Sequence, residues 1–266
     1  MKKMRNLTLT TIGIATLSFA LSSLANAADD LVAKIKDSGK IRICQIDYPP
    51  MNIKDPTTGK WTGVLPEMSE AFAAQLGVEA DHVTATWGTV IQNIKTNKCD
   101  MSAGATFVTT KRAVEALFTS IVSLDSVAAW VGTESDFNSY ESLDQAGNVI
   151  AVMSGSPTEA NAHLIFKKAT IKPVVSDRQN KMLLEVASGR ADAAFGGVIS
   201  GFNFISKNTN VKVRPVDDTQ LFPTPIAWIV PKGEYHFQQV LNSFLASARA
   251  KGTLGEIEAK YLKAGN

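Results

Sequence analysis

Short apolar segments that alternate with amphipathic helices constrain this 266-residue chain more than any other feature. Strands are predicted at residues 40–46, 83–85 and 101–105, because these stretches are apolar or alternate between apolar and polar residues. Between them, residues 66–76 and 89–96 carry apolar side chains at helical spacing. Strand, helix, strand, helix, strand is the pattern of a parallel sheet. We therefore predict an α/β fold.

A second α/β unit is expected to be inserted into the first. The chain is predicted to cross between the units near residues 132–136 and again near 222–225, where polar or proline-containing segments interrupt the pattern. This divides the molecule into a first lobe of residues 28–131 and 226–266 and a second lobe of residues 132–225. Two lobes joined by two hinge crossovers can close on a ligand that lies between them.

Residues 99–112 bring a strand end, several hydroxyl groups and a positive charge to one place. Three threonines occur within five residues after the strand, and Thr109 is the expected N-cap of the helix that carries Arg112. Free N–H groups at a helix start and a guanidinium together suit an anion, and a carboxylate best. A surface arginine is the alternative, but the threonine-rich turn before Arg112 favours a binding role.

Three predicted loops follow directly after strands, and they contain Tyr48, Trp87 and Thr106. Ligands of parallel α/β sheets bind at the carboxyl ends of the strands, so a pocket is expected at this edge. Tyr48 and Trp87 could instead pack in the core. In the second unit, Ser156 precedes Pro157 and is a candidate ligand donor, an N-cap, or both.

The N-terminus has the form of a secretory signal peptide. Residues 1–5 are basic, residues 7–24 contain no charge, and Ala25-Asn26-Ala27 is a cleavage site of the small-x-small type. Cleavage is expected after Ala27. No later stretch reaches the ~18 uninterrupted apolar residues of a spanning helix. We expect an exported protein.

Removal of this signal changes the net charge. The whole chain has 27 Lys+Arg and 25 Asp+Glu, and the signal removes three basic residues and no acidic one. A balance close to neutral with no basic block argues against a nucleic-acid partner. The three histidines are scattered and no zinc-type spacing occurs, so no metal or other cofactor is predicted. A monomer is expected.

The two cysteines, Cys44 and Cys99, would meet an oxidising compartment in which a disulfide is chemically allowed. Cys44 lies in the middle of its predicted strand, whereas Cys99 precedes its strand. The α-carbons are therefore expected to be too far apart to bridge. We predict two buried thiols.

Further short motifs complete the pattern. They are Tyr48-Pro49-Pro50, Gly63, Trp87, Asp100, Thr109-x-x-Arg112, Phe118-Thr119, Gly155-Ser156, Gly189-Arg190-Ala191-Asp192-Ala193, Gly252-Thr253-Leu254 and Lys260-Tyr261. In this order and spacing the chain resembles the extracellular solute-binding proteins of amino-acid ABC importers over nearly all of its mature length. The resemblance implies a periplasmic-binding-protein-like fold and delivery of a small polar solute to a membrane permease.

The same resemblance implies roles for individual residues. Arg112 would bind the carboxylate of the ligand, and Thr106 would assist it. Ser156 would donate to that carboxylate from the other lobe. Tyr48 and Trp87 would hold the body of the ligand between their rings. The other candidate ligand-binding residues are Gly104, Gly155 and Gly197.

One position departs from the family pattern, because the acid that binds the ligand's α-amino group is replaced by Gly197. A buried ammonium without a partner is costly, so either the ligand has no free α-amine or its cation is held elsewhere. The rings of Trp87 and Tyr48, or else Glu67 or Asp47, could hold it. The hypothesis that follows is a carboxylate other than a plain α-amino acid, such as a modified amino acid or an organic acid.

The predicted function is that of a periplasmic receptor, which binds a small carboxylate-bearing solute (an amino acid or a derivative) and delivers it to an ABC importer. An enzyme would need a placed acid or base, and no histidine lies in a predicted cleft loop. The alternative on the same fold is a periplasmic dehydratase that acts on a cyclic carboxylate.

Overall fold

The computed structural model describes residues 30–262, and the signal peptide and cleavage site predicted up to Ala27 lie outside this range. The helices are α1 Leu31–Ser38, α2 Val64–Leu76, α3 Val90–Lys95, α4 Thr110–Ala113, α5 Tyr140–Leu143, α6 Pro157–Ile165, α7 Lys181–Ala187, α8 Val198–Lys207, α9 Tyr235–Ala250 and α10 Thr253–Leu262. The strands are β1 Lys40–Gln45, β2 Ile53–Lys54, β3 Trp61–Thr62, β4 Glu79–Thr84, β5 Met101–Phe107, β6 Ala116–Phe118, β7 Ser123–Gly132, β8 Val149–Met153, β9 Thr170–Val174, β10 Ala193–Gly197, β11 Val213–Pro215 and β12 Leu221–Pro231. In the described part of the chain, no helix is both long enough and apolar enough to cross a bilayer.

One mixed sheet organises these elements. Its strand order is β4-β1-β5-β12-β7-β10-β8-β9, with β6 added to β12 and β11 added to β7. β1 runs parallel to β4 and β5 in one half, and β8 runs parallel to β9 and β10 in the other. β12 and β7 lie antiparallel between the two halves. The α/β fold of two lobes joined by two strands is thus confirmed.

The long strand β7 corrects the predicted first crossover. Asp125 pairs with Thr224 of β12, whereas Val131 pairs with Ala193 of β10. The chain therefore passes from one half-sheet to the other a few residues after Asp125, and not at 132–136. The reason is that the apolar run up to Val131, which was assigned to the first lobe, belongs to the continuous strand β7. The last residues of this strand pair with β10 of the second half-sheet.

The second crossover was predicted at 222–225, and this segment lies inside β12. Pro225 there pairs with β7, so the return passage is also a paired strand. We propose that the second lobe is inserted into the first, as in the division into residues 28–131 with 226–266 and residues 132–225. The first boundary of this division moves to a few residues after Asp125. Both connections between the lobes are hydrogen-bonded strands, and the register of their pairing shifts between Leu221 and Thr224.

Helix α2 shows how the first lobe is packed. Gly63 precedes it with φ 112°, and Gly77 ends it in the left-handed region. Met68 and Phe72 on its buried face are at most 2% exposed, and the Phe72 ring contacts Phe244 of α9 edge-on with centroids 5.3 Å apart. Each such side chain contributes about 1.5–3 kcal/mol by burial. The helix thereby fixes β1 and the loop that follows it.

The prediction of two free thiols is wrong, because Cys44 and Cys99 form a disulfide. Their α-carbons are 5.6 Å apart, within the usual range for a bridge. β1 and β5 are adjacent parallel strands, and Ile43 is paired with Met101. Cys99 is two residues before this partner, and the chain there lies close enough to β1 to bring the two sulfurs together.

Candidate functional site

Arg112 lies where the strand β5 gives way to the short helix α4. The Thr109 hydroxyl accepts a hydrogen bond of 3.3 Å from the backbone N–H of Arg112, which is the predicted N-cap. The Arg112 guanidinium donates through Nη1 to the carbonyl oxygen of Phe107, 3.3 Å away. Its Cζ lies 5.8 Å from the centre of the Trp87 ring, a cation–π contact. The side chain is therefore held inward, and Arg112 is only 8% exposed.

No acidic side chain of the described residues 30–262 is paired with Arg112. Among the ion pairs within residues 30–262, none includes Arg112. Burial lowers the pKa of Arg112 to about 10, so the guanidinium is still charged at neutral pH. A buried cation without a partner costs folding free energy. Such a group is suited to bind an anion that arrives from outside.

A small cavity of about 10 Å³ lies between the two half-sheets. It is lined by Tyr48, Trp87, Phe107, Ser156, Pro157, Thr158, Gln179 and Gly197. Four of the predicted site residues belong to this lining, namely Tyr48, Trp87, Ser156 and Gly197. The volume suffices for about one water molecule, whereas ligand pockets ordinarily have roughly 300–1,000 Å³. A solute can enter only when the lobes separate or side chains move.

Three aromatic rings form the wall of the cavity on the first lobe. The Tyr48 ring meets Trp87 edge-on at 5.9 Å and Phe107 edge-on at 6.4 Å, between centroids. These residues follow or end β1, β4 and β5, so the carboxyl ends of neighbouring strands bring them together. The Tyr48 hydroxyl donates a hydrogen bond to the carboxylate of Asp125. Burial raises the pKa of Tyr48 well above its ordinary value, which keeps the hydroxyl protonated.

Two predicted site residues in β5, Thr106 and Gly104, do not line the cavity. Thr106 is fully buried and its hydroxyl has no hydrogen-bond partner among the described residues. Because side chains alternate along a strand, Phe107 faces the cavity and Thr106 is directed to the other side of β5. Gly104 packs against Ile46, whose side chain would lie 3.2 Å from a Cβ at residue 104. The cavity-facing role thus falls to Phe107, which the sequence analysis did not single out.

The two lobes touch at a pair of glycines beside the cavity. A Cβ at Gly155, which has φ 73°, would lie 2.6 Å from the Cα of Gly88. Only glycine allows this backbone approach. Gly155 therefore sits at the lobe interface next to Ser156, whose hydroxyl accepts from the N–H of Glu159 as the predicted N-cap and donates to the carbonyl of Met153.

The loop between β9 and α7 makes further contacts across the cleft. The indole N–H of Trp87 donates to Gln179 Oε1 at 2.8 Å, and Lys54 Nζ donates to Asp177 Oδ2 at 3.3 Å. The backbones of Asp47 and Arg178 form an isolated parallel β-bridge. Gln179 was not predicted as a site residue. It follows β9 of the second lobe, and the rule that ligands bind at the carboxyl ends of strands applies there as well.

The two acids considered as substitutes for the missing amine anchor are engaged elsewhere. Glu67 accepts hydrogen bonds from Lys260, at 2.6 Å, and from the Tyr261 hydroxyl. Asp47 accepts from the backbone N–H of Lys54 at 3.1 Å, and burial raises its pKa. Neither side chain lines the cavity.

Comparison with known proteins gives a consistent result. The sequence model of a family described as bacterial extracellular solute-binding proteins, family 3, matches residues 41–264. A putative ABC transporter arginine-binding protein 2 of Escherichia coli K12 is 22% identical over 221 residues, 82% of this chain and 88% of the relative. The histidine-binding periplasmic protein of the same strain is 24% identical over 220 residues, 80% and 84% of the two chains.

Among solved structures, the cysteine-binding protein from Campylobacter jejuni superposes with a TM-score of 0.81 at 19% sequence identity. The match covers 89% of this chain and 94% of that one. At this identity the likeness concerns the fold, and the relatives extend over nearly the same length as the chain described here.

Proposed function

Because the chain belongs to the bacterial extracellular solute-binding proteins of family 3, we propose that it is a periplasmic receptor of an ABC importer. It binds a small carboxylate-bearing solute, an amino acid or a derivative of one, between its two lobes. The loaded receptor then delivers the solute to the permease of the importer. It acts as a monomer, so light scattering after gel filtration is expected to give the mass of one chain.

A single observation carries this proposal: the buried guanidinium of Arg112 has no acidic partner within residues 30–262. A carboxylate fits it best, because two oxygens can accept two parallel N–H bonds of the guanidinium. The solute supplies the missing negative charge, and the Trp87 ring below the guanidinium keeps water away from the pair. The other cleft residues then surround the remainder of the solute.

Binding requires the lobes to open and close. The cavity is too small for a solute as it stands, and the chain passes between the two lobes in β7 and β12. Hinge motion of this kind is common in proteins that enclose small ligands. Ser156, the N-cap of α6, lines the cavity from the second lobe. Its hydroxyl turns from the carbonyl of Met153 to donate to the solute once the lobes have closed around it.

The family consists of solute-binding proteins and not of enzymes, and the chain is assigned accordingly. The alternative of a dehydratase would need a general acid or base in contact with the substrate. The cavity lining holds no histidine, aspartate, glutamate or lysine. No further observation favours an enzymatic function.

A thermal-shift panel of amino acids, betaines and organic acids tests the proposal. A bound solute at about a hundred times its Kd is expected to raise the free energy of unfolding by about 2.7 kcal/mol. Arg112→Ala should abolish the shift. Arg190→Ala, which removes a surface arginine paired with Glu185, is the matched control and should retain it. An unchanged shift in Arg112→Ala would overturn the assignment of the carboxylate site.

A further inference from the structure

The buried carboxylate of Asp125 has no role in the function proposed so far. Asp125 lies in β7, where the chain passes between the lobes, and is 5% exposed. Its Oδ1 accepts from the backbone N–H groups of Ser126, at 2.7 Å, and Ile199, at 3.2 Å. Its Oδ2 accepts from the Tyr48 hydroxyl, which belongs to the cavity wall. The carboxylate therefore lies one hydroxyl group away from the cavity.

No cation neutralises this carboxylate within residues 30–262, where none of the ion pairs includes Asp125. Neutral donors surround it instead, and burial raises its pKa. A buried carboxylate is costly unless a cation or several hydrogen bonds compensate it. Asp125 is in this respect the counterpart of Arg112, which is a buried cation without an anion.

The two unpaired charges flank the same group of rings. Arg112 contacts Trp87 and donates to the carbonyl of Phe107. Asp125 is bonded to Tyr48, and the Tyr48 ring contacts both Trp87 and Phe107. A positive and a negative group thus each contact a residue of one aromatic wall. This is the charge pattern that complements a zwitterion.

Gly197 leaves the space in which the Tyr48 hydroxyl and the Asp125 carboxylate meet. A Cβ at residue 197 would overlap the Tyr48 hydroxyl and would lie 2.9 Å from Asp125 Oδ2. The side chain that is missing at residue 197 is therefore replaced in space by the hydroxyl of Tyr48 and the carboxylate of Asp125. Oδ2 accepts from the Tyr48 hydroxyl, and the backbone N–H of Val198 also interacts with the Asp125 carboxylate. A carboxylate oxygen can accept two hydrogen bonds.

We propose that Asp125 binds the ammonium group of a zwitterionic solute whose carboxylate is held by Arg112. This inference rests on the proposed function and narrows its solute class to amino acids that carry a free ammonium group. In the present arrangement the Tyr48 hydroxyl occupies the place next to Oδ2 that the ammonium takes, or shares, when the solute is bound. The acid that binds the ammonium group of the solute is therefore Asp125 of β7, the strand that passes between the lobes, and not a side chain at residue 197.

Calorimetry with matched pairs of compounds tests this assignment. Each pair differs by one ammonium group: L-arginine, L-histidine and L-cysteine with their des-amino counterparts, and γ-aminobutyrate with butyrate. The wild-type protein should bind the ammonium member of its preferred pair roughly 10- to 100-fold more tightly, as expected for hydrogen bonds to a charged group. Asp125→Asn should bring this ratio close to one and leave the affinity for the des-amino member unchanged.

Tyr48→Phe is the second variant, and it guards against misfolding of Asp125→Asn. It removes the hydroxyl and keeps the acid, so it should retain the preference for the ammonium member. If Asp125 and Tyr48 only hold the lobes together, both variants will weaken both members of a pair by one common factor, and the proposal fails. Loss of the preference in Tyr48→Phe would also overturn it, since the hydroxyl would then be the acceptor.

The wild-type data separate this inference from the proposed function. Equal binding of both members of a pair, abolished by Arg112→Ala, would leave the receptor function standing and refute the role of Asp125. Binding of no member of any pair, together with an absent response in the wider thermal-shift panel, would refute the receptor function and this inference with it.

Discussion

The indole nitrogen of Trp87 in the first lobe donates a hydrogen bond of 2.8 Å to the side-chain oxygen of Gln179 in the second. Both residues line the cavity, and both are buried. Trp87 also supports the Arg112 guanidinium through its ring. One tryptophan thus connects the charge that is expected to bind the solute with a hydrogen bond between the two lobes.

Gln179→Ala is expected to shift the protein toward the open form. A hydrogen bond of this kind contributes about 0.5–1.5 kcal/mol, which corresponds to a change of at most roughly tenfold in the open-to-closed ratio. Small-angle scattering without solute should give a larger radius of gyration than for the wild type. Gln145→Ala, which removes a side chain bonded to the nearby Glu141 carbonyl, is the control. Identical scattering of all three proteins would contradict the prediction.

Gly197→Ala is expected to destabilise the protein, because the added methyl group overlaps the Tyr48 hydroxyl. Overpacking of this type typically costs about 1–3 kcal/mol in the free energy of unfolding, which urea denaturation measures. Gly255→Ala is the control, since no atom lies within 4 Å of a Cβ there. The cost at Gly197 should be smaller when Tyr48→Ala is already present. A cost that does not depend on Tyr48 would count against the contact.

Arg112→Met is expected to make the protein without solute more stable while it abolishes binding. Burial lowers the pKa of Arg112 from its ordinary value to about 10, a difference that corresponds to roughly 3 kcal/mol at most against the charged form. Because the folded-state pKa is the lower one, this cost is fully present below about pH 10 and declines as the pH rises from there toward the ordinary pKa of an arginine. Methionine fills a similar space without the charge.

Denaturant unfolding at neutral pH measures this gain. Arg190→Met is the matched control, because that arginine is paired with Glu185 and its removal should bring no gain. A free energy of unfolding for Arg112→Met at or below that of the wild type would mean that groups in the protein already satisfy the guanidinium. The carboxylate-binding role would then lose its physical basis.

Reduction of the disulfide between Cys44 and Cys99 is expected to lower the free energy of unfolding. The bond links residues 55 apart in the sequence, for which loop-closure entropy gives about 4 kcal/mol. Denaturation with and without reductant measures the effect, and the doubly substituted protein Cys44→Ser/Cys99→Ser should not respond to reductant. Solute affinity should persist in the reduced protein, since the bond lies outside the cavity lining. A wild-type protein that is insensitive to reductant would refute the prediction.

Local patterns predicted most of the architecture. The alternation of strands and helices indicated the parallel half-sheets, and the threonine-rich turn indicated the N-cap at Thr109 because these signals act within a few residues. Helix α8 was not identified: its segment is apolar on most sides, and its buried face becomes clear only when Gly201 is seen against Trp130. The disulfide was misjudged because the approach of Cys99 to β1 depends on a turn that spacing does not reveal.

The candidate site was predicted in part for a similar reason. Tyr48, Trp87 and Arg112 follow strand ends, so position along the chain pointed to them. Asp125 gave no such signal, since it lies inside a strand and reaches the cleft only through a tyrosine 77 residues earlier. The glycine at residue 197 looked like a missing acid in the sequence. In the structure, the Tyr48 hydroxyl and the Asp125 carboxylate occupy the space that a side chain at residue 197 would take.

The passage of the chain through β7 and β12 has a mechanical consequence. Two strands bonded to each other bend as a ribbon, and their ladder resists sliding and twisting about other axes. A hinge at this ribbon would have its pivot close to Asp125 and Thr224, next to the register shift between Leu221 and Thr224. Under the proposed receptor function, each cycle of loading and release would then present the same two outer faces in the same relative orientation, a geometric criterion by which a membrane partner would tell a full carrier from an empty one.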